Sequence, residues 1–324
     1  MKITAIRELF DAGLFRGEVI YDEPMSAHTS LKIGGPVDIM AIPEDPLSLK
    51  NLLITANSAD TPVVVVGSGT NLLVSDSGIR GVAISLASFD RIELTRGSDE
   101  DNVLLFVNAG VPLARVINFA KEKGYSGLEA LVGIPGSFGG AVCMNAGSFG
   151  TEIKDVINSV AVMNSKGELN ILEKEKIEFS YRSSDLPEDS IILSANVLLK
   201  KDNPDDISER IRDFLKRKKD TQPLGERSAG CVFKNPEGDA AGRLIEAAGC
   251  KGMKMGDVEV SAVHANYFIN RGRATCREFI ELMENVINRV KEQFGITLDS
   301  EIKIVGENIK TNGINQKSNK EINS

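Results

Sequence analysis

Apolar positions along this chain alternate between a helical and a strand period, and the changes of period mark its elements. Ile3, Ile6, Leu9, Phe10 and Leu14 recur at helical spacing and predict a helix over 3–14. Asp45 and Pro46 read as the N-cap and first residue of a helix reaching about residue 59, with Leu49, Leu52 and Leu53 inward. A third helix opens at Pro112, buries Leu113, Val116, Ile117 and Ala120, and stops at Gly124. Ile207, Ile211, Phe214 and Leu215 define a fourth, whose end carries Lys216, Arg217, Lys218 and Lys219; four cations there complement the helix dipole. A short helix over 240–249 follows. The last helix has a capping box, Thr275 with Glu278, and a buried stripe of Phe279, Met283, Val286, Ile287, Val290 and Phe294.

Strand patterns lie between them, over 37–42, 63–66, 72–74, 82–86, 103–107, 156–163, 169–172, 179–182 and 191–199. Helices and strands mix without strict alternation, which predicts an α+β fold. An acidic stretch with Pro204, over 200–206, marks a boundary. The segments are 1–90, 91–203 and 204–305, followed by a polar, Asn- and Lys-rich tail, 306–324, expected to be disordered.

Composition narrows the function classes. A net charge of −8 argues against nucleic-acid binding, which calls for clustered cations. No apolar run reaches the ~20 residues of a membrane helix, and the N-terminus has charges where a signal peptide needs an apolar core. Cys143, Cys231, Cys250 and Cys276 form no Cys-x-x-Cys pair, so no metal site is expected, and scattered thiols fit a reducing cytoplasm.

Two glycine-rich loops stand out. Residues 63–74, VVVVGSGTNLLV, end a strand in Gly67, Ser68, Gly69, Thr70 and Asn71. Backbone N–H groups freed by glycine, with hydroxyl and amide donors, suit a phosphate nest; a tight turn explains the loop as well. Leu72 stands where the dinucleotide fingerprint needs its third glycine, and no P-loop lysine follows. A second loop, over 133–141, has Gly133, Gly136, Gly139 and Gly140. Two such loops favour a dinucleotide clamped between two lobes.

Further segments complete a pattern: HTSLKIGGP, FSYRSSD, GCVFKNP, AGRLIEAAGCKG, HANYFIN and DSEIKIVG. In this order, over about 20–306, the chain resembles the UDP-N-acetylenolpyruvoylglucosamine reductase family, in particular its shorter type. The resemblance implies a non-Rossmann, vanillyl-alcohol-oxidase-like FAD fold of two lobes (1–90 and 91–203) and a C-terminal α+β substrate domain (204–305). It implies FAD held by Lys32, Ile33 and Gly34, by Gly67, Ser68, Gly69, Thr70, Asn71 and Leu72, and by Gly133, Ile134, Pro135, Gly136, Ser137, Gly139, Gly140 and Ala141. NADPH would supply hydride to the flavin, which passes it to the enolpyruvyl group of a small UDP-sugar. Cys231, where the family commonly has serine, would protonate the resulting carbanion, with Arg182 and Glu301 stabilising it.

Tyr181, Lys234 and Asn235 would contact substrate, Gln222 lies near a further contact, and His264 and Asn266 organise the substrate domain. Phe149 replaces a common tyrosine, and Ala262 and Val263 a charged pair. A cytoplasmic monomer is expected. A flavin oxidase acting on another alcohol or enol remains the second reading, and an inactive nucleotide-binding scaffold the third.

Overall fold

Helices in this protein begin where the chain supplies partners for their free N–H groups. The structure is a computed structural model, and it describes residues 2–95 and 99–309. Helix α1 (Lys2–Asp11) packs beside α2 (Pro46–Ser58). Asp45 accepts the Ser48 N–H at 2.8 Å, and Pro46 sits in the first turn, where a missing N–H is no loss. Both helices cover a sheet of Gly17–Pro24, Pro36–Pro43, Ile79–Ile84 and Val63–Val65, in that order. The first pair is antiparallel and the other two are parallel.

The second lobe is an antiparallel sheet around one long strand, Ser190–Lys201. Ile157–Asn164 and Asn102–Asn108 flank it, with Leu169–Glu173 and Ile92–Leu94 at the edges. Helix α3 (Leu113–Lys123) ends in the left-handed Gly124, and α4 (Phe138–Cys143) sits inside the second glycine-rich segment, N-capped by Ser137. Helix α5 (Pro204–Thr221) follows the central strand. Ile207 and Ile211 of α5 join the same core as Leu105, Val160 and Val197, so packing does not follow the expected boundary at 203/204. That core also contains Ile39, Leu49 and Val82, which makes the two lobes one hydrophobic unit.

A second core forms the last domain. Helices α6 (Ala241–Ala247) and α7 (Cys276–Phe294) enclose the small sheet Lys254–Met255, Val258–Val260 and Phe268–Asn270. Phe233, Phe268 and Phe279 are fully buried at its centre, with centroids 6.0 and 5.4 Å apart along the row. The chain then returns: Lys303–Val305 pairs in parallel with Leu72–Val74 of the first lobe.

Most expected helix starts and stops recur, as do most strands, but the first helix ends at Asp11 and leaves Leu14 outside it and exposed. One exception is 179–182, where a narrow hairpin pairs Phe179–Ser180 with Ser183–Ser184. Residues 306–309, expected in a disordered tail, are packed instead: Ser75 donates its hydroxyl to the Glu307 carbonyl at 2.6 Å, and Ile309 meets the second core. The rest of the tail, 310–324, lies outside the described residues.

Helix α7 is tied to the first lobe by its own N–H groups. Asp76 accepts from Cys276 at 2.8 Å and Arg277 at 3.1 Å, while Thr275 accepts from Glu278 at 3.2 Å. Thus one loop of the first lobe caps the main helix of the last domain. Asp76→Ala is expected to lower stability by about 1–2 kcal/mol, measured by denaturant unfolding; an unchanged midpoint would show that these bonds contribute nothing.

Candidate active site

A cleft of about 1830 Å³ runs between the lobes and the last domain. Drug-sized ligands occupy pockets of up to ~1,000 Å³, so there is room for a large cofactor and a substrate together. Both glycine-rich loops form one wall. They meet directly, since the Thr70 hydroxyl donates to the Pro135 carbonyl at 3.2 Å. A Cβ placed on Gly67 would lie 2.4 Å from Ser137 Oγ, so only glycine permits the approach. Gly67, Ser68, Gly133 and Gly140 stay exposed to the cleft, where a pyrophosphate would meet backbone N–H groups, and Pro135, which has none, is exposed beside them. The loop residues Gly69, Thr70, Asn71, Leu72, Ile134, Gly136, Ser137, Gly139 and Ala141 line it as well. The geometry therefore suits a dinucleotide.

Lys32, Ile33 and Gly34 do not join them. They line a separate shallow depression with Arg227 and Arg273, and Ile33 is buried in the second core. The Lys32 ammonium donates to the Ala27 carbonyl at 3.2 Å. A glycine pair next to a cation reads like a ligand loop, but here it serves a turn against the last domain.

The same cleft collects Arg182, Cys231 and Glu301 from three distant segments. Arg182 has a left-handed φ of 58° at the tip of the narrow hairpin. Asn145 donates to the Ser180 carbonyl at 3.0 Å and Ser184 to the Cys143 carbonyl at 2.9 Å, which fixes that tip against α4. Gly147 leaves room for the guanidinium, because a Cβ there would come within 3.2 Å of Arg182 Nη1. Glu301 is held by its N–H on the Val232 carbonyl at 2.8 Å and by Asn71, which donates to its carbonyl at 3.1 Å. Arg182 Nε then donates to Glu301 Oε1 at 2.9 Å.

Burial raises the Glu301 carboxyl above its ordinary value, and Arg182 and Lys234 oppose that rise. The Cys231 thiol is pushed up to about 12, first by burial and then by the Glu301 charge. A free thiol titrates near ~8.5, so this site holds its proton far more firmly than an exposed cysteine would. The wall thus combines a protonated thiol, a carboxylate and a guanidinium.

The expected substrate contacts lie beside this trio and not in the cleft wall. The Asn235 side-chain oxygen accepts the Ala241 N–H at 3.0 Å and serves α6. Lys234 bonds Asp299 through its backbone and influences the site through its charge on Glu301. Tyr181 is half-exposed with the Arg182 guanidinium 5.0 Å from its ring centre, and burial raises its phenol. Gln222 does line the cleft. His264 accepts the Asn266 N–H at 3.2 Å, and Asn266 bridges both backbone groups of Phe233, so this pair is structural.

Two groups in the wall escaped the sequence reading. Lys218, one of four cations attributed to the helix dipole, is 2 % exposed and lines the cleft beside Gly133. Burial, with repulsion from Arg182, lowers its ammonium to about 8. Its Nζ lies 5.7 Å from the Phe149 ring centre, and that ring stacks on Phe214 at 4.9 Å. Tyr267 is the second, facing Cys231. Helical spacing places Lys218 next to the apolar stripe, the one available signal; nothing local marks Tyr267. Among the described residues no cluster of side chains could hold a metal ion, and no helix is long and apolar enough to cross a membrane.

Two lobes around a cleft that suits a dinucleotide, with a further domain beside it, fit a dinucleotide-dependent enzyme. The sequence model of an FAD binding domain matches residues 37–172, and that of the UDP-N-acetylenolpyruvoylglucosamine reductase C-terminal domain matches 222–305. A reductase of that name from Syntrophomonas wolfei is 43% identical over 88% of this chain and 94% of its own. One from Geobacter metallireducens is 41% identical over 90% and 95%. The crystal structure of the Thermus caldophilus enzyme superposes with a TM-score of 0.75 at 33% identity, covering 90% of this chain and 99% of that one. The chain belongs to the UDP-N-acetylenolpyruvoylglucosamine reductase family, and its cofactor is FAD.

The meeting of the loops sets a test. Gly67→Ala is expected to reduce bound flavin about tenfold or more while the circular dichroism stays native, because its methyl displaces Ser137. Full flavin occupancy in that variant would contradict the assignment of the loops.

Proposed function

We propose that the chain reduces UDP-N-acetylglucosamine enolpyruvate to UDP-N-acetylmuramate at the expense of NADPH, in peptidoglycan precursor synthesis in the cytoplasm. The observation that carries this reading is the convergence of Cys231, Arg182 and Glu301 on one wall of the flavin cleft. The names of the relatives support the substrate. FAD, held by the two glycine-rich loops, would supply the hydride chemistry.

The protein's residues handle charge and the proton. Adding hydride to the terminal carbon leaves negative charge on the carbon beside the carboxylate and on the carboxylate itself. Arg182 provides the cation for it, and Glu301 holds that guanidinium in place at 2.9 Å. Cys231, a thiol kept protonated by burial and by Glu301, gives its proton to the carbon. Lys218, unneutralised by any carboxylate in the described structure, serves an anionic group of the substrate. Tyr181, Lys234 and Asn235 lie outside the cleft wall and would meet the substrate only at its margin.

The test is anaerobic. NADPH should bleach the flavin band near ~450 nm, and the enolpyruvyl substrate should restore it. Cys231→Ala should keep the bleaching and slow restoration by about 10²-fold or more, whereas Cys231→Ser retains much of it. Restoration without the substrate, or an alanine variant as fast as wild type, would sink the reading.

A second expectation follows from Lys218. With its ammonium lowered to about 8, it is charged below that pH and neutral above it. The value of kcat/KM should therefore fall as pH rises through about 8, and Lys218→Met should raise KM about tenfold and remove that limb. A variant that keeps the same limb would refute the role.

A further inference from the structure

Cys231 does not face the cleft alone. Its backbone pairs with Tyr267 in an isolated antiparallel bridge, with the Val232 N–H donating to the Asn266 carbonyl at 2.8 Å. Residues paired in this way project their side chains to the same side, and both line the cleft. The thiol and the phenol are near enough for each to shift the other's hold on its proton. The Tyr267 ring stands edge-on to His264, with centroids 5.0 Å apart, and its carbonyl accepts the Ser261 N–H at 2.8 Å. Packing against His264 needs only the ring.

The chemistry assigned to Cys231 leaves a charge behind. Surroundings that hold a thiol protonated make its thiolate unfavourable, and Glu301 adds to that. We propose that Tyr267 is a positioning residue for Cys231, its O–H donating to the sulfur and stabilising the thiolate formed as the thiol protonates the substrate. The proposal rests on the reading of Cys231 as the acid. In that step a C–H bond forms at the carbon beside the carboxylate and the S–H bond breaks. The electron pair stays on sulfur, nothing is oxidised or reduced, and water returns a proton to sulfur once product leaves. Burial keeps the phenol protonated well above its usual range, so at neutral pH it acts as a donor and does not compete as a base.

The test uses the flavin-loaded enzyme and three variants: Tyr267→Phe, Cys231→Ala and the double substitution. Stopped-flow spectroscopy follows reoxidation of pre-reduced flavin by the enolpyruvyl substrate. Tyr267→Phe is expected to slow this step about 10- to 100-fold, to leave flavin reduction by NADPH unchanged, and to add nothing in the Cys231→Ala background. A second readout needs no turnover. Alkylation of Cys231 by iodoacetamide at about pH 9, located by mass spectrometry, should be several-fold slower in Tyr267→Phe, because the thiolate has lost its donor. Wild-type rates in both assays, or fully additive losses in the double variant, would overturn the proposal. If Cys231→Ala reoxidises as fast as wild type, the acid assignment itself fails, and that result is read in a protein that still has Tyr267.

Discussion

The ion pair between Arg182 and Glu301 is the constraint on which the site depends. Its partners are 119 residues apart and retain only 22 and 15% of their side-chain exposure. Two charges removed from water are tolerated only while each has the other, since removing one partner of such a pair typically costs about 3–5 kcal/mol. The contact therefore fixes where the hairpin of the second lobe meets the segment that returns to the first. Asn71 extends the arrangement into the cofactor wall: its side chain donates to the Glu301 carbonyl, and its own carbonyl accepts from Lys303. A single residue thereby connects the flavin loop with the acidic member of the trio.

Charge within the cleft is distributed by function. Arg182 supplies the cation, Glu301 keeps the thiol neutral, and Lys218 lies across the wall beside Gly133 with a weakened hold on its proton. In the proposed reaction, a thiol that ionised early would have no proton when the carbanion appears. Raising Cys231 to about 12 prevents that, and it remains a stronger acid than an alcohol. The net charge of the chain, −8, plays no part in this; local cations determine what the cleft attracts.

Local chemistry was the legible part of the sequence. Asp45, Gly124 and the Thr275–Glu278 box end their helices through bonds within a few residues, and the structure reproduces each. The glycine loops were legible because a backbone that must approach a ligand admits few other residues. What depended on tertiary packing was hidden. Lys218 looked like a solvated cation, yet α5 turns it into the cleft as Ile207 and Ile211 join the main core. Lys32–Gly34 imitated a ligand loop until the burial of Ile33 placed it against the last domain. Asn235 carried an amide suited to an anion, but its oxygen caps α6. Tyr267 became visible only where its backbone bridges to Cys231.

The account stands most directly on the dependence of Glu301 on Arg182. A pH titration by infrared difference spectroscopy can follow the protonated carboxyl band of Glu301, identified by its loss in Glu301→Gln. With Arg182 in place the carboxylate should protonate above the ordinary value for glutamate, its burial being partly offset by the guanidinium. In Arg182→Gln the band should persist to clearly higher pH. An unchanged titration would mean that the pair does not control the charge of the site, and the central claim would fall.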